Sequence, residues 1–417
     1  MKSVYYRAAV IGGGAAGLTA AAALAAQIGG KNVVILEKQN KPGRKLLATG
    51  NGRCNISNRH ISTEHYHGDK ALVESVLSGF SVSRMKDYMN HLGVLLREDS
   101  EGRIYPYSNQ AVTILNALRD ECFRKGVTEK LSFVPESVVK ENGCFVVRSA
   151  AETIRCDHLI FACGSKASPK LGADDSGFRL LEPLGIMHSP LFPALCPVPT
   201  LEKRKALKGV RAKGTAAIVC DNKVVKTSAG EIQLSDKGLS GICIFELSRC
   251  VSEYYCYGTV EGTAVSKIGI TLDLMPDIGF GELCAIIERG KSIYGNEPAE
   301  KLLSGMLHQA LAEVIVHESR LSGKSCRGLT SRDIRVLAGT IKRMCFTPEK
   351  AGSFDTAQVC AGGIGSEAVD AGTLMAKKVK NLYICGEMLN VDGDCGGFNL
   401  HFALGSALLA ARLGNGM

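Results

Sequence analysis

The sequence predicts an α/β protein that opens on a strand–helix–strand unit of parallel sheet, and three observations carry that prediction. Glycines at 12, 14 and 17 stand in a GxGxxG pattern behind an apolar lead-in. An alanine-rich stretch runs on to Ala26, Gly29-Gly30 interrupts it, and a second apolar run, Val33 to Leu36, closes on Glu37. After a long middle section the chain returns to that style, with Leu382 to Cys385 ending at Gly386-Glu387 and an apolar segment from Leu400 to Leu413.

In the GxGxxG turn the first glycine permits a tight strand-to-helix turn, the second lets backbone approach a pyrophosphate, and the third lets helix pack on strand. Phosphates would rest on the N–H groups and positive dipole end of the helix that follows. Glu37 comes twenty residues after Gly17, where a carboxylate receives adenosine ribose hydroxyls. An acid there disfavours a 2′-phosphate, so the pattern favours FAD or NAD over NADP.

Residues 38–58 read KQNKPGRKLLATGNGRCNISN. Either this stretch lies along a cofactor, with Arg44 and Lys45 reaching phosphates and Asn51, Arg53 and Asn55 offering donors, or it is a surface loop. Leu72 to Leu95 and Val112 to Cys122 have helical spacing, and Pro106 holds Arg103 to Ser108 extended or turned. Leu131 to Val139, Cys144 to Val147 and Thr153 to Phe161 read as strands. The last ends at Ala162-Cys163-Gly164, which is either a plain turn or a place of close cofactor approach.

From Ser189 the text becomes proline-rich, with Pro190, Pro193, Pro197 and Pro199. Val210 to Cys220, Lys223 to Thr227, Gly230 to Leu234, Gly241 to Leu247 and Lys267 to Asp273 then predict a small antiparallel sheet or barrel. Beyond Pro276, Gly281 to Ile293, Pro298 to Ser319 and Ser331 to Met344 look helical, the last capped by Ser331 with Asp333. Asn390 to Asn399, NVDGDCGGFN, is a glycine-rich turn before the terminal helix. It offers a second helix N-terminus, suited to the end of a flavin that gains negative charge on reduction, or it is a turn before a docking helix.

With 417 residues, 45% of them apolar and 22% charged, the chain has the composition of a globular protein of two or three domains. No run approaches the roughly 20 apolar residues of a membrane span, and no signal or transit peptide is recognisable, so a cytoplasmic location is expected. Sixteen cysteines without a single CxxC suggest reduced thiols and argue against both a metal site and a paired redox disulfide. The net charge of +9 is modest. The basic clusters at Lys41 to Arg53 and Lys203 to Lys213 could attract an anionic cofactor or substrate, or form solvated faces. They lack aromatic interleaving, so nucleic acid is not an expected partner.

Three blocks, VIGGGAAGLTAA, GRKLLATGNGRCNISN and LYICGEMLNVDGDCGGFNLHFALGSA, together resemble the BaiN/YhiN-like flavoproteins of the NAD(P)/FAD-dependent, aminoacetone-oxidase-family type. GRIYPYS, FPALCPV, GEIQLSDKGLSG, ITLDLMPD and AQVCAGGI extend the resemblance over essentially the whole chain. It implies a two-dinucleotide-binding-type (Rossmann-like) FAD domain over 1–190 and 354–417, an inserted β-barrel-like domain over 191–275 and 345–353, and a helical insertion over 276–344. By matching positions it implies that Gly12, Gly14, Ala15, Ala16 and Gly17 hold the pyrophosphate and that Glu37 with Lys38 holds the ribose. Arg44, Lys45, Asn51, Gly52, Arg53, Cys54 and Asn55 would run along the cofactor, with Val134 near the adenine. Gly164, Gly386 and Glu387 would lie near the phosphates and ribityl chain, and Asp394, Gly396, Gly397, Phe398 and Asn399 near the isoalloxazine. Cys360, Asp236-Lys237, Phe398 and His401 depart from the usual family residues, and the last two bear on substrate identity.

The resemblance further implies an FAD enzyme acting on a small molecule, first of all as a reductase of enone double bonds in steroid-like bile-acid intermediates. NADH or NADPH would visit transiently as reductant, since no second complete GxGxxG is present. Arg53 or Asn55 could clamp the carbonyl and His401 or Tyr107 could supply the proton, while Cys54 is either a flavin-reactive group or a structural thiol. A flavin oxidase of a small amine, a tRNA-modifying flavoenzyme and a non-catalytic flavin-binding protein are the competing expectations.

Overall fold

The computed structural model describes residues 2–413. Strand β1 (Lys2–Ile11) runs into the glycine turn, helix α1 (Ala15–Ile28) leaves it, and strand β2 (Val33–Leu36) returns parallel to β1. All four residues of β2 are buried, as a parallel strand covered on both faces requires. α1 has no polar stripe, and its buried Leu18, Leu24 and alanines let neighbouring elements approach closely.

A short helix α2 (Arg44–Ala48) precedes β3 (Thr128–Lys130), β4 (Ser137–Glu141), β5 (Cys144–Arg148) and β6 (Glu152–Phe161), and β7 (Leu382–Ile384) comes from the far part of the chain. The parallel strands lie in the order β3, β2, β1, β6, β7, with β5 and β4 added antiparallel beside the first half of β6. Leu159, Ile160 and Phe161 of β6 pair with Leu382, Tyr383 and Ile384 of β7, so both chain ends share one sheet. Helix α3 (Phe398–Ala410) packs on α1, and Gln27 Nε2 donates to Ala411 O at 2.8 Å. The stretch expected as one strand from Leu131 divides: three residues before it pair with β2, and β4 starts only at Ser137.

The chain up to Leu191 together with the stretch from Gln358 onward forms this α/β unit, and Phe192–Ala357 forms a second. There an antiparallel six-stranded sheet runs in the order Val198–Pro199, Gly238–Ser240, Lys223–Leu234, Arg211–Cys220, Ile268–Asp273, Met344–Phe346. The stretch Gly241 to Leu247, expected as a strand, instead opens a helix, Ile242–Tyr257. Its buried Cys243, Ile244, Leu247, Cys250 and Val251 recur at helical spacing, and that stripe decides the conformation. Helices Phe280–Tyr294, Gln309–Glu318 and Ser331–Lys342 share one apolar core with the sheet. The cap of the last is Thr330, not Ser331, in a reciprocal box with Asp333. Among the described residues no helix is long and apolar enough to cross a membrane.

Candidate cofactor cleft

At the carboxyl ends of β1 and β6 lies a cleft that is partly open to solvent. Two glycines of the opening turn are demanded by the protein's own packing. Gly12 has φ 106° and a Cβ there would stand 2.5 Å from Ala162 O, while at Gly17 it would stand 1.8 Å from Gly12 O. Gly14 differs, because a Cβ there would meet nothing within 4 Å. It lines the cleft and stands at the N-cap of α1 without a side chain to cap the helix, so the open space and the bare helix end suit a pyrophosphate.

Glu37 is only 8% exposed. One carboxylate oxygen accepts from Gly13 N at 2.6 Å and the other from Gln39 N at 2.7 Å, which fixes the acid at the end of β2. Arg44 donates to Gln39 Oε1 and Lys170 O. Lys45 Nζ reaches both oxygens of Glu387 at 2.6 and 2.9 Å, and Glu387 also accepts from Cys360 N. Lys38, expected at the ribose, has its Nζ 2.6 Å from Asp174 Oδ2. Gly12, Gly14, Ala15, Ala16, Glu37, Lys38, Arg44, Lys45, Gly164, Gly386, Glu387 and Asn399 line this one cleft together.

The remaining expected residues are not part of its wall. Gly17 serves packing, and Val134 is 56% exposed while its neighbour Pro135 lines the cleft. Asn51, at φ 56°, Gly52 and Arg53 form an exposed turn, with Arg53 5.1 Å from the Tyr105 ring. The Cys54 thiol is buried, and burial pushes its pKa up to about 12 against a smaller opposing effect of Thr49, so it is a protonated structural thiol. Asn55 Oδ1 is buried with no partner. It lies against Gly397, where a Cβ would stand 2.7 Å away, and Gly396 O accepts from Asn58 Nδ2.

One expected proton donor, His401, is placed where it cannot serve. His401 is completely buried, with Nδ1 2.8 Å from Ser57 Oγ and Nε2 2.8 Å from Phe80 O. A carbonyl only accepts, so Nε2 is the protonated nitrogen and Nδ1 takes the Ser57 hydrogen. Burial lowers the imidazole pKa to about 4, and a neutral side chain sealed in the core cannot protonate a substrate. Tyr107, the other expected donor, is 61% exposed and does not line this cleft.

The structure brings together groups that the sequence did not pair. Asp394 bridges His65 Nδ1 at 3.0 Å and His67 Nε2 at 2.9 Å, and the His65 ring stacks on Phe398 at 4.5 Å. Asn399, on the cleft wall, donates to Gly393 O and Asp394 O, which links that cluster to the cleft. Thr49 and Ser165 also line the cleft. Their signal in the sequence was adjacency alone, to Gly50 in the polar loop and to Gly164 after β6.

Residues 6–413 match the HI0933-like protein Rossmann domain. The 3-dehydro-bile acid delta(4,6)-reductase of Clostridium scindens is 32% identical over 410 residues, covering 97% of this chain and 98% of that protein. The ribosomal RNA dihydrouridine synthase of Escherichia coli is 28% identical over 395 residues, covering 94% and 93%. In fold, the chain is similar to the 3-ketosteroid delta1-dehydrogenase of Sterolibacterium denitrificans, with a TM-score of 0.51, 13% identity, and 98% and 99% of the two chains covered. A bare helix end over an open glycine, with a fixed acid one strand away, suits an adenine dinucleotide, and with these likenesses the chain belongs to the HI0933-like family of FAD-dependent, Rossmann-type oxidoreductases.

Proposed function

We propose that the protein is a flavin-dependent reductase of carbon–carbon double bonds conjugated to a carbonyl, drawing on NADH or NADPH. The observation that carries this reading is the pair of nearly full-length relatives. A 3-oxo-4,6-diene and the 5,6 bond of uridine, the bonds implied by their two names, are both conjugated to a carbonyl.

FAD, when bound, supplies a two-electron carrier able to take up and return a hydride. The turn from Gly12 to Ala16 would hold its pyrophosphate and Glu37 its ribose, while Lys45 keeps the Glu387 carboxylate neutralised beside it. Arg53 is exposed with its Nε on Gly50 O, which leaves its terminal amino groups for a substrate carbonyl. With His401 sealed in the core, the bridged imidazoles of His65 and His67, joined to the cleft wall through Asn399, are the proposed proton source for the α-carbon.

Anaerobic rapid mixing tests the reading. NADH or NADPH should bleach the bound flavin, and a 3-oxo-4,6-diene steroid should restore the colour while gaining two hydrogens. If neither nucleotide bleaches it, that reductant is wrong. Peroxide formed in proportion to nucleotide consumed would make the protein an oxidase, and no turnover at all would leave a flavin-binding protein.

A second reading, action on ribosomal RNA, is favoured by the relatives of that name at 28% and 27% identity. The basic run from Lys203 to Lys213 gives it little support. Lys203 pairs with Glu349, Arg204 with Glu318, Lys208 with Asp236 and Arg211 with Glu231, so most of its charge is already matched. Steeply salt-dependent retention of an rRNA fragment would restore this reading.

A further inference from the structure

We propose that residues 164–176 form a strap across the adenosine end of the cleft, latched by Lys38 and Asp174, which must open for the cofactor to enter or leave. The inference rests on FAD occupying this cleft. Glu37 marks the ribose end, and Lys38 and Gln39 follow it directly. From the strap Ser165, Leu171, Gly172, Ala173 and Ser176 line the cleft, and Lys38, Gln39 and Arg44 line it from the other side.

Links join the two sides. Lys38 Nζ lies 2.6 Å from Asp174 Oδ2, and Arg44 Nη2 donates to Lys170 O at 3.3 Å. Gly172 lies so near the opposite wall that a Cβ would stand 2.6 Å from Gln39 Nε2. Asp174 is prepared for its role, since Ser176 donates both N–H and hydroxyl to Oδ1 and leaves Oδ2 to Lys38. Burial works against its charge, yet the hydrogen bonds from Lys38 and Ser176 outweigh it and hold the carboxyl below its ordinary range. The latch is therefore ionised at neutral pH.

The strap has little regular structure of its own. Gly164, Ser168 and Gly172 occupy the left-handed region at φ 71°, 68° and 93°, giving it three corners, and its regular structure is limited to the turn Pro169–Leu171 before the helix that starts at Ser176. The latch side chains are 24% and 48% exposed, so dissolved salt competes with them.

The test is the rate at which holoprotein loses FAD on dilution, read from the recovery of free-flavin fluorescence. Asp174→Asn should speed release about fivefold, equivalent to roughly 1 kcal/mol, and Asp174→Glu should restore most of the difference. Raising NaCl from about 0.05 to about 0.5 M should speed release from the wild type and leave the Asn variant unchanged. Equal release rates and equal salt slopes in the two proteins would overturn the strap. So would a loss of apoprotein stability that matches the gain in release, since that marks Asp174 as a purely structural residue. A wild type that takes up no FAD would fail the cofactor reading instead, which is a separate result.

Discussion

The turn before α1 and the turn before α3 look alike in sequence, GGG at 12–14 and GG at 396–397, and each opens a helix whose N-cap is glycine without a side-chain cap. They are held in different ways. The first draws mostly on near neighbours, although Gly12 lies against Ala162 O: Gly17 rests on Gly12 O, Glu37 receives Gly13 N, and Gly14 is left facing open space. The second is held by the front of the chain, with Gly397 against Ser57 O, Gly396 O on Asn58, Phe398 O on the Tyr66 hydroxyl, and Asp394 between His65 and His67. Gly14 of the first turn is left open for a ligand, whereas both glycines of the second meet protein, so the first turn depends less on distant segments than the second does.

Both turns are damaged most by a methyl group added where backbone already stands. Gly17→Ala puts a Cβ 1.8 Å from Gly12 O, and Gly397→Ala puts one 2.4 Å from Ser57 O at φ 101°. Each should cost about 4 kcal/mol of stability in denaturant unfolding of the apoprotein, since neither neighbour is a side chain that can turn away. A tolerated Gly397→Ala would mean that the second turn does not depend on its distant partners.

The next effect belongs to the second turn alone. His401 ties α3 to Ser57 and Phe80, and its pKa falls from 6.5 to about 4 on folding. Between those values the unfolded chain binds a proton that the folded protein refuses. Stability contributed by neutral His401 is therefore complete above pH 6.5 and is lost as pH falls towards about 4. The loss should be on the order of 3 kcal/mol and should vanish from the pH dependence of His401→Gln, as urea unfolding at the two ends of that range will measure.

What was legible in the sequence follows the same division. The spacing of Gly12, Gly14, Gly17 and Glu37 carried the cofactor end, because turn, helix dipole and strand length are local properties. The seven-residue spacing of Cys243 and Cys250 is legible too, but the run Gly241 to Leu247 is too short by itself to separate strand from helix. The His65–Asp394–His67 bridge was not legible, since more than 320 residues separate its members. Nor was the fate of His401: the same residue on an open face would titrate near 6.5, and only the packing of Phe80 and Ser57 decides otherwise. Lys38 is placed at the ribose by the family resemblance alone, and its pairing with Asp174 is not legible, since that carboxylate arrives with the loop after β6.

A milder change sharpens the contrast at the first turn. Gly14→Ala meets no neighbour, so unfolding should move by less than about 0.5 kcal/mol, while FAD affinity should fall about tenfold as the methyl enters the space of the pyrophosphate. Titration of apoprotein with FAD measures it, and unchanged affinity would remove Gly14 from the binding site.

The smallest structural effect, and the most specific chemical one, is expected from Asp394→Asn. His65 and His67 are 37% and 21% exposed at their side chains, so their bonds to the carboxylate stabilise the fold by less than about 1 kcal/mol. Asn399 holds the cleft wall through backbone atoms of Gly393 and Asp394, which the substitution leaves in place, so FAD content and reduction by nucleotide should be unchanged. Only return of electrons to the unsaturated substrate should slow, since an amide cannot hold two imidazoles as proton donors in the way a carboxylate does. If that half-reaction keeps its rate, the cluster is a brace for the second turn and the proton comes from elsewhere. If it slows while binding is untouched, the two turns divide the labour, one gripping the cofactor and the other serving the bond being reduced.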